Sequence, residues 1–302
     1  MEHILTSEAV TRGHPDKICD QIADAVLDAV LAEEPEARVA CETAVWKDGL
    51  CIFGELSARQ EPDYETIARE VLRKIGYDRP ELGFDWETCS VQVHMHPQSP
   101  DIARSVRHRA AEDTGAGDQG ILFGYACRET EDLMPLPITL ANRLARRLEA
   151  VGRDGTLPWL RPDGKTQVSV AYRDGKPVRI TTVVLSAQHA PDIAVEDLRE
   201  TLRQKVILPT LPAELVDENT LLYINPTGRF VIGGPAGDSG LTGRKLLADT
   251  YGSAARHGGG SISGKDPTKM DRTGAYLARY LAKNIVAAGL AERCEVQLAY
   301  AI

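Results

Sequence analysis

The stretch ARVACETAVWKDGLCIFGELSA, from Ala37 to Ala58, decides the fold. Apolar and polar residues alternate through ARVACETAVW and again through LCIFGELSA, the period of half-buried strands, and Lys47-Asp48-Gly49 between them carries an Asp-Gly turn signal. The stretch therefore predicts an antiparallel hairpin. Upstream, Pro15 suits a first helical position and Ile18, Ile22, Val26 and Val30 recur every four residues, which predicts a helix from Pro15 to Glu33. Downstream, Asp63 caps DYETIAREVLRKIG, Ile67, Val71 and Ile75 share one face, Gly76 ends it, and the alternating run TCSVQVHMH follows. The unit reads helix, hairpin, helix, strand.

The same order returns further along the chain. Helix PITLANRLARRLEAV starts at Pro137, strands KTQVSVAYR and KPVRITTVVLSAQ flank Asp174-Gly175, and helix AVEDLRETLRQKVI leads to strand TLLYIN ending at Asn225. A third copy opens at Pro267 with PTKMDRTGAYLARYLAKNIVAAG and the alternating CEVQLAYAI, which reaches Ile302 without a hairpin partner, second helix or last strand. The expectation is an α+β protein of three sheet-plus-helix units around a pseudo-threefold axis, the third incomplete. The expected divisions are an N-terminal unit at 1–100, a mobile lid loop and linker at 101–120, a central unit at 121–230 and a shortened C-terminal unit at 231–302. The lid expectation rests on HPQSPDIARSVRHRAAEDTGAGDQG, a Gly-, Pro- and charge-rich connection long for a compact protein. The strand CEVQLAYAI is expected to leave an edge that association covers.

Composition narrows the function. A chain of 302 residues, 43% hydrophobic and 26% charged, has the make-up of a soluble globular protein, and no apolar run has the length of a membrane span. A cytoplasmic location is expected. Six scattered cysteines show no Cys-x-x-Cys spacing, so zinc and a disulfide framework lack support. The net charge of −9 argues against nucleic acid or an anionic membrane as partner, yet Arg229 to Arg272 holds seven Lys/Arg against four Asp. A polyanion would be drawn to that segment.

Two regions carry candidate chemistry. In GHPDK, Gly13 to Lys17, a helix N-terminus gathers His14, Asp16 and Lys17, which suits a bound anion; equally, Asp16 favours a first turn while His14 and Lys17 are solvated. In HGGGSISGKDPTKMDR, glycines let backbone N–H groups approach a ligand, and Arg244, Lys245, Lys265 and Lys269 supply positive charge, as a phosphate site requires. The pattern is neither a Walker motif nor a dinucleotide fingerprint. Four cations suit a triphosphate, and Asp16 and Asp271 are hard oxygen donors of the kind Mg²⁺ uses beside phosphates.

GHPDK, GAGDQGILFGY and GGGSISGKD, with VACETAVWKDG, GTLPWLRPDGKTQVSV and INPTGRFVIGGPAGDSGLTGRK, together resemble the S-adenosylmethionine synthetases, nearly end to end. That resemblance implies the three-unit fold and transfer of the adenosyl group of ATP to the sulfur of L-methionine. The tripolyphosphate is then hydrolysed to diphosphate and phosphate. It further implies His14, Lys165, Arg244, Lys245 and Lys265 as the groups that stabilise the triphosphate, and Asp163, Arg229, Phe230, Asp238 and Ser261 at nucleotide positions. Methionine would meet Glu55, Gln98, Asp118, Asp238 and Lys269. Asp16 and Asp271 would hold Mg²⁺, two ions in all, and Glu42 would hold K⁺. A homodimer or dimer of dimers with shared active sites is implied. Two departures stand out: Ser261-Ile262 replaces the family's usual Ala-Phe, and family members continue for several dozen residues past the position of Ile302. Two other readings stand beside transfer: a non-catalytic nucleotide-binding or assembly relative, and a residual tripolyphosphatase.

Overall fold

The computed structural model describes residues 2–97 and 119–301; the expected lid lies outside them up to Asp118, as does Gln98, while its last residue, Gly120, belongs to a strand. Ten strands run β1 (Glu2–Val10), β2 (Arg38–Trp46), β3 (Gly49–Ser57), β4 (Ser90–His96), β5 (Gly120–Cys127), β6 (Leu160–Arg173), β7 (Lys176–His189), β8 (Leu221–Ile224), β9 (Gly240–Leu241) and β10 (Arg293–Tyr300). The five longer helices are α1 (Pro15–Glu33), α2 (Tyr64–Ile75), α3 (Leu136–Arg153), α4 (Val195–Leu202) and α5 (Met270–Ala287).

The repeat is visible in the pairing. Antiparallel β2–β3 is followed by α2 and then β4, parallel to β3; antiparallel β6–β7 is followed by α4 and then β8, parallel to β7. The architecture is α+β, with repeated sheet-plus-helix units. Local signals explain the helix limits. Asp63 accepts from the Thr66 N–H at α2's start, and Gly76 closes it at φ 114°. Asp174 and Gly175 take positive φ as a tight two-residue hairpin demands. The first hairpin departs from expectation by one residue: Trp46 pairs with Gly49, so Lys47 and Asp48 form the turn.

Each repeat also receives one strand from elsewhere in the sequence. β1 pairs along its whole length with β6, β5 pairs with β10, and β9 pairs with β2. The first segment thus completes the second sheet, β5 lies against the third segment's strand, and the third segment contributes β9 to the first sheet. The expected contiguous units exchange strands cyclically. β1, β5 and β9 were not among the predicted strands, because β9 is two residues long and the other two lie outside the repeated pattern. The edge expected on CEVQLAYAI is paired on one side by β5.

Two large cores support the four-stranded sheets, and a small cluster of Ala126, Ala282 and Val286 supports β5 and β10. Ile18, Ile22, Val26 and Val30 of α1 pack with α2 and the inward faces of β2 and β3, and Leu140, Leu144 and Leu148 of α3 pack on Val168, Val170, Val183 and Leu185. Burial of each such side chain stabilises by about 1.5–3 kcal/mol, which fixes the strands that carry the polar residues described next.

Candidate active site

Asp16, Asp20 and Asp24 stand four residues apart on one face of α1, and each accepts a backbone N–H from the third segment. Leu241 donates to Asp16 at 3.0 Å, Gly243 to Asp20 at 2.9 Å and Gly264 to Asp24 at 3.0 Å. Carboxylates bind such N–H groups more strongly than neutral acceptors do. The glycine-rich loop is therefore laid along the helix. Gly240 is required there, because a Cβ would collide with the Pro15 carbonyl and stand 2.7 Å from the Asp16 nitrogen. The seating brings Lys245 into an ion pair with buried Asp16, and Arg244 Nε to 3.6 Å from it.

His14 caps α1, its Nδ1 accepting from the Asp16 N–H at 3.1 Å. That bond puts the proton on Nε2. Burial, with Lys245 nearby, lowers the His14 pKa to about 4 against the pull of Asp16 and Asp238. His14 is thus a neutral donor rather than the near-cation the sequence implied. Lys17 also departs from expectation. It donates to Asp20 at 3.0 Å and Asp249 at 2.7 Å, and although burial disfavours its charge, those carboxylates hold its pKa above the usual lysine value.

A cavity of about 360 Å³ opens beside His14, lined by Asp163, Lys165, Phe230, Gly234 and Asp238 among others. Asp163, at the start of β6, is buried; its Oδ2 accepts from the Gly234 N–H at 2.8 Å. Burial pushes its pKa up to about 6, although the N–H groups of Gly234 and Gly164 oppose the shift. Gly234 has φ 59°, and a Cβ there would run into the Tyr77 ring and hydroxyl. Lys165 pairs with Glu8 of β1 at 2.8 Å, so the borrowed strand orients a cation at the cavity. Arg229 is exposed next to half-buried Phe230.

A second cluster forms around Lys265, which bridges to Ala40 of β2 and whose Nζ lies 2.7 Å from Asp271. Lys269 is held by fully buried Asp266 at 2.6 Å, and Asp266 also accepts from the Val39 N–H at 2.7 Å. Burial raises the Glu42 pKa, opposed by Lys265 and a hydrogen bond with Thr242, while Asp20 and Glu55 add to the rise. Glu55 faces His96 at 3.8 Å. The Ser261 hydroxyl is buried against Gly243 without a hydrogen-bond partner among the described residues. The structure thus joins His14, Asp163, Lys165, Phe230 and Asp238 in one cavity and Glu42, Lys265 and Asp271 in another group. No contact links Asp238 to Glu55 or Lys269 among the described residues, although all three are expected at methionine.

Residues 2–100, 113–230 and 232–302 match the N-terminal, central and C-terminal domains of S-adenosylmethionine synthetase. The chain belongs to the S-adenosylmethionine synthetase family. It is 57% identical to the S-adenosylmethionine synthase of Solidesulfovibrio magneticus over 300 residues, covering 99% of this chain and 77% of the relative. It is 54% identical to that of Desulfosudis oleivorans over 302 residues, covering 99% and 78%.

The side chains suit the ions that family resemblance implies. Among the described residues no three acidic, imidazole or thiol groups converge on one point. A cation here would meet single carboxylates, Asp16 or Asp271, each now paired with a lysine. That donor set fits Mg²⁺, which binds through one or two carboxylates and takes its remaining oxygens from phosphates and water. Glu42, partly desolvated and raised a little further by the more distant charges of Asp20 and Glu55, fits a monovalent cation that would offset its charge.

The sequence reading passed over Glu8, Asp20, Asp24 and Gln188 with His189. The Asp16-Asp20-Asp24 spacing was the available signal for one acidic helix face. Nothing in the sequence ties Glu8 to Lys165, since their proximity follows from β1 joining the central sheet.

Proposed function

We propose that this chain catalyses attack of the L-methionine sulfur on the ribose C5′ of ATP, giving S-adenosylmethionine, followed by hydrolysis of the released tripolyphosphate to diphosphate and phosphate. The observation that carries the reading is the cavity itself: a neutral His14 donor and the Lys165 cation face a space also lined by Phe230 and Asp163. Sulfur donates a pair to C5′ and becomes a sulfonium while the C5′–O pair leaves with oxygen, adding one negative charge to an already polyanionic leaving group, and preorganised donors and cations stabilise it without reorganisation. His14 Nε2–H, Lys165, Arg244, Lys245 and Lys265 serve that end. Phe230 and Asp163 hold the adenosine, with Arg229 and Ser261 at its margin.

Asp16 and Asp271 would hold Mg²⁺, which would supply neutralising charge to phosphate oxygens, and Glu42 would hold K⁺. Lys245 and Lys265, which pair with those same carboxylates, would then be available to phosphate oxygens. Glu55 and Asp238 suit the methionine ammonium, and Lys269 its carboxylate; Gln98 and Asp118 complete the set. Because no hydrogen bond or ion pair among the described residues joins Asp238 to Glu55 or Lys269, we further propose that the working site combines two copies, as a homodimer or dimer of dimers. The divisions at 1–100, 101–120, 121–230 and 231–302, and a cytoplasmic location, belong to the same proposal. No helix among the described residues is long and apolar enough to cross a membrane.

The test is product formation by the purified chain with ATP, methionine, Mg²⁺ and K⁺, followed by chromatography, with light scattering for the assembly. S-adenosylmethionine from a dimer or larger species supports the reading. Tripolyphosphate cleavage without product, or ATP binding without turnover, overturns it in favour of the two other readings.

A further inference from the structure

Behind the nucleotide cavity, β7 ends in two buried polar side chains that no step of the proposed reaction uses, Gln188 and His189. Gln188 Oε1 accepts from the Asp163 N–H at 3.3 Å, and its Nε2 donates to the Val231 carbonyl at 3.0 Å. His189 Nε2 accepts from the Phe230 N–H at 3.0 Å, while Nδ1 lies 2.8 Å from the Ala190 carbonyl. A carbonyl only accepts, so the proton sits on Nδ1 and Nε2 remains an acceptor. The backbone adds a second link, His189 N–H to the Phe230 carbonyl at 2.9 Å.

These bonds span the two walls of the cavity. Asp163 belongs to β6, whereas Phe230 and Val231 lie in the loop after β8, and Asp163 also receives the Gly234 N–H from that loop. Asn225 anchors the loop's base. At φ 43° it directs its side chain back onto β7, accepting from the Ala187 N–H at 2.8 Å and donating to the Ala187 carbonyl at 3.0 Å. The loop's far end is tied to α1 and not to β7: the Leu241 N–H donates to Asp16 at 3.0 Å and the Gly243 N–H to Asp20 at 2.9 Å. Arg244, Lys245 and His14 are likewise fixed by α1 and Asp16.

We infer that Gln188 and His189 are positioning residues for the adenosine half of ATP, an inference that rests on the transferase reading above. Neither lines the cavity; both fix the backbone that presents Asp163 and Phe230. Losing either side chain leaves a buried N–H without an acceptor and frees the loop, whereas the groups facing the triphosphate keep their supports.

Calorimetric titration with ATP and, separately, with inorganic tripolyphosphate distinguishes this role from a general structural one. Both are done in Mg²⁺ buffer on the full chain, its Gln188→Met and His189→Leu variants and the conservative His189→Gln. The first two variants are expected to weaken ATP binding about tenfold and leave tripolyphosphate within twofold, the effect of one lost buried hydrogen bond at the adenosine end. His189→Gln, whose amide oxygen can accept from Phe230, is expected to recover part of the loss. Equal losses for both ligands, or unchanged ATP affinity, would overturn the inference. If His189→Leu does not fold, Gln188→Met and His189→Gln decide it. Because the titration needs no turnover, a parent chain that forms no S-adenosylmethionine sinks the transferase reading separately.

Discussion

Replacing Gly240 with alanine tests how the third segment reaches the first. The added Cβ would stand 2.7 Å from the Asp16 nitrogen and collide with the Pro15 carbonyl, where ordinary contacts begin at 3.4 Å. Both neighbours are helix backbone at the N-terminus of α1 and cannot rotate away. The β9 strand must therefore retreat by about 1 Å, which stretches the 3.0 Å bond from Leu241 to Asp16 and draws Arg244 and Lys245 away from Asp16. Overpacking of this kind costs about 1–3 kcal/mol, a fall in Tm of several degrees at this size. A misplacement of about 1 Å costs roughly 100-fold in turnover. The assay is kcat for S-adenosylmethionine formation alongside a thermal melt. A variant with parental kcat and Tm would show that the β9 contact does not seat the cationic loop.

Removing Asp271 or Lys265, as Asp271→Asn or Lys265→Ala, is expected to lower kcat at least about 100-fold through loss of a metal ligand or a phosphate-facing charge; unaltered turnover would misplace the site. The His14 ring is expected to stay neutral between pH 8 and pH 5, since its pKa lies at about 4, and a histidine NMR titration with a midpoint near the ordinary value would contradict the cap geometry. Asp163 has the opposite linkage. Its folded pKa of about 6 exceeds the unfolded value, so the folded state binds the extra proton and this group's contribution to stability falls as pH rises from about 4 to about 6, by roughly 3 kcal/mol at most. Urea melts across that range should show a smaller fall for Asp163→Asn than for the parent, and identical slopes would refute the burial argument.

Periodicity made most helices and both hairpins legible. Ile18 to Val30, the Asp63 cap and Gly76 stop, and the alternation through β2, β3, β6 and β7 are all patterns local in the chain, and each formed the element it signalled. The types of residue for anion chemistry were legible too, because histidine, lysine and glycine cluster along the chain at GHPDK and GGGSISGKD. Their states were not. Whether His14 takes up a second proton depends on its burial near Lys245, more than two hundred residues away, and Lys17 is held by Asp249 across the fold.

The sequence by itself determined the repeat, the elements of its complete copies and the inventory of charged groups, since these rest on side-chain period and composition. Tertiary structure alone decided which strands close each sheet and which charges meet. β1 reaches β6 across more than 150 residues to set Glu8 beside Lys165, and the acidic face of α1 collects N–H groups from Leu241, Gly243 and Gly264. Such contacts depend on three-dimensional closure of distant segments, and backbone donors carry no residue signature, so no local pattern encodes them.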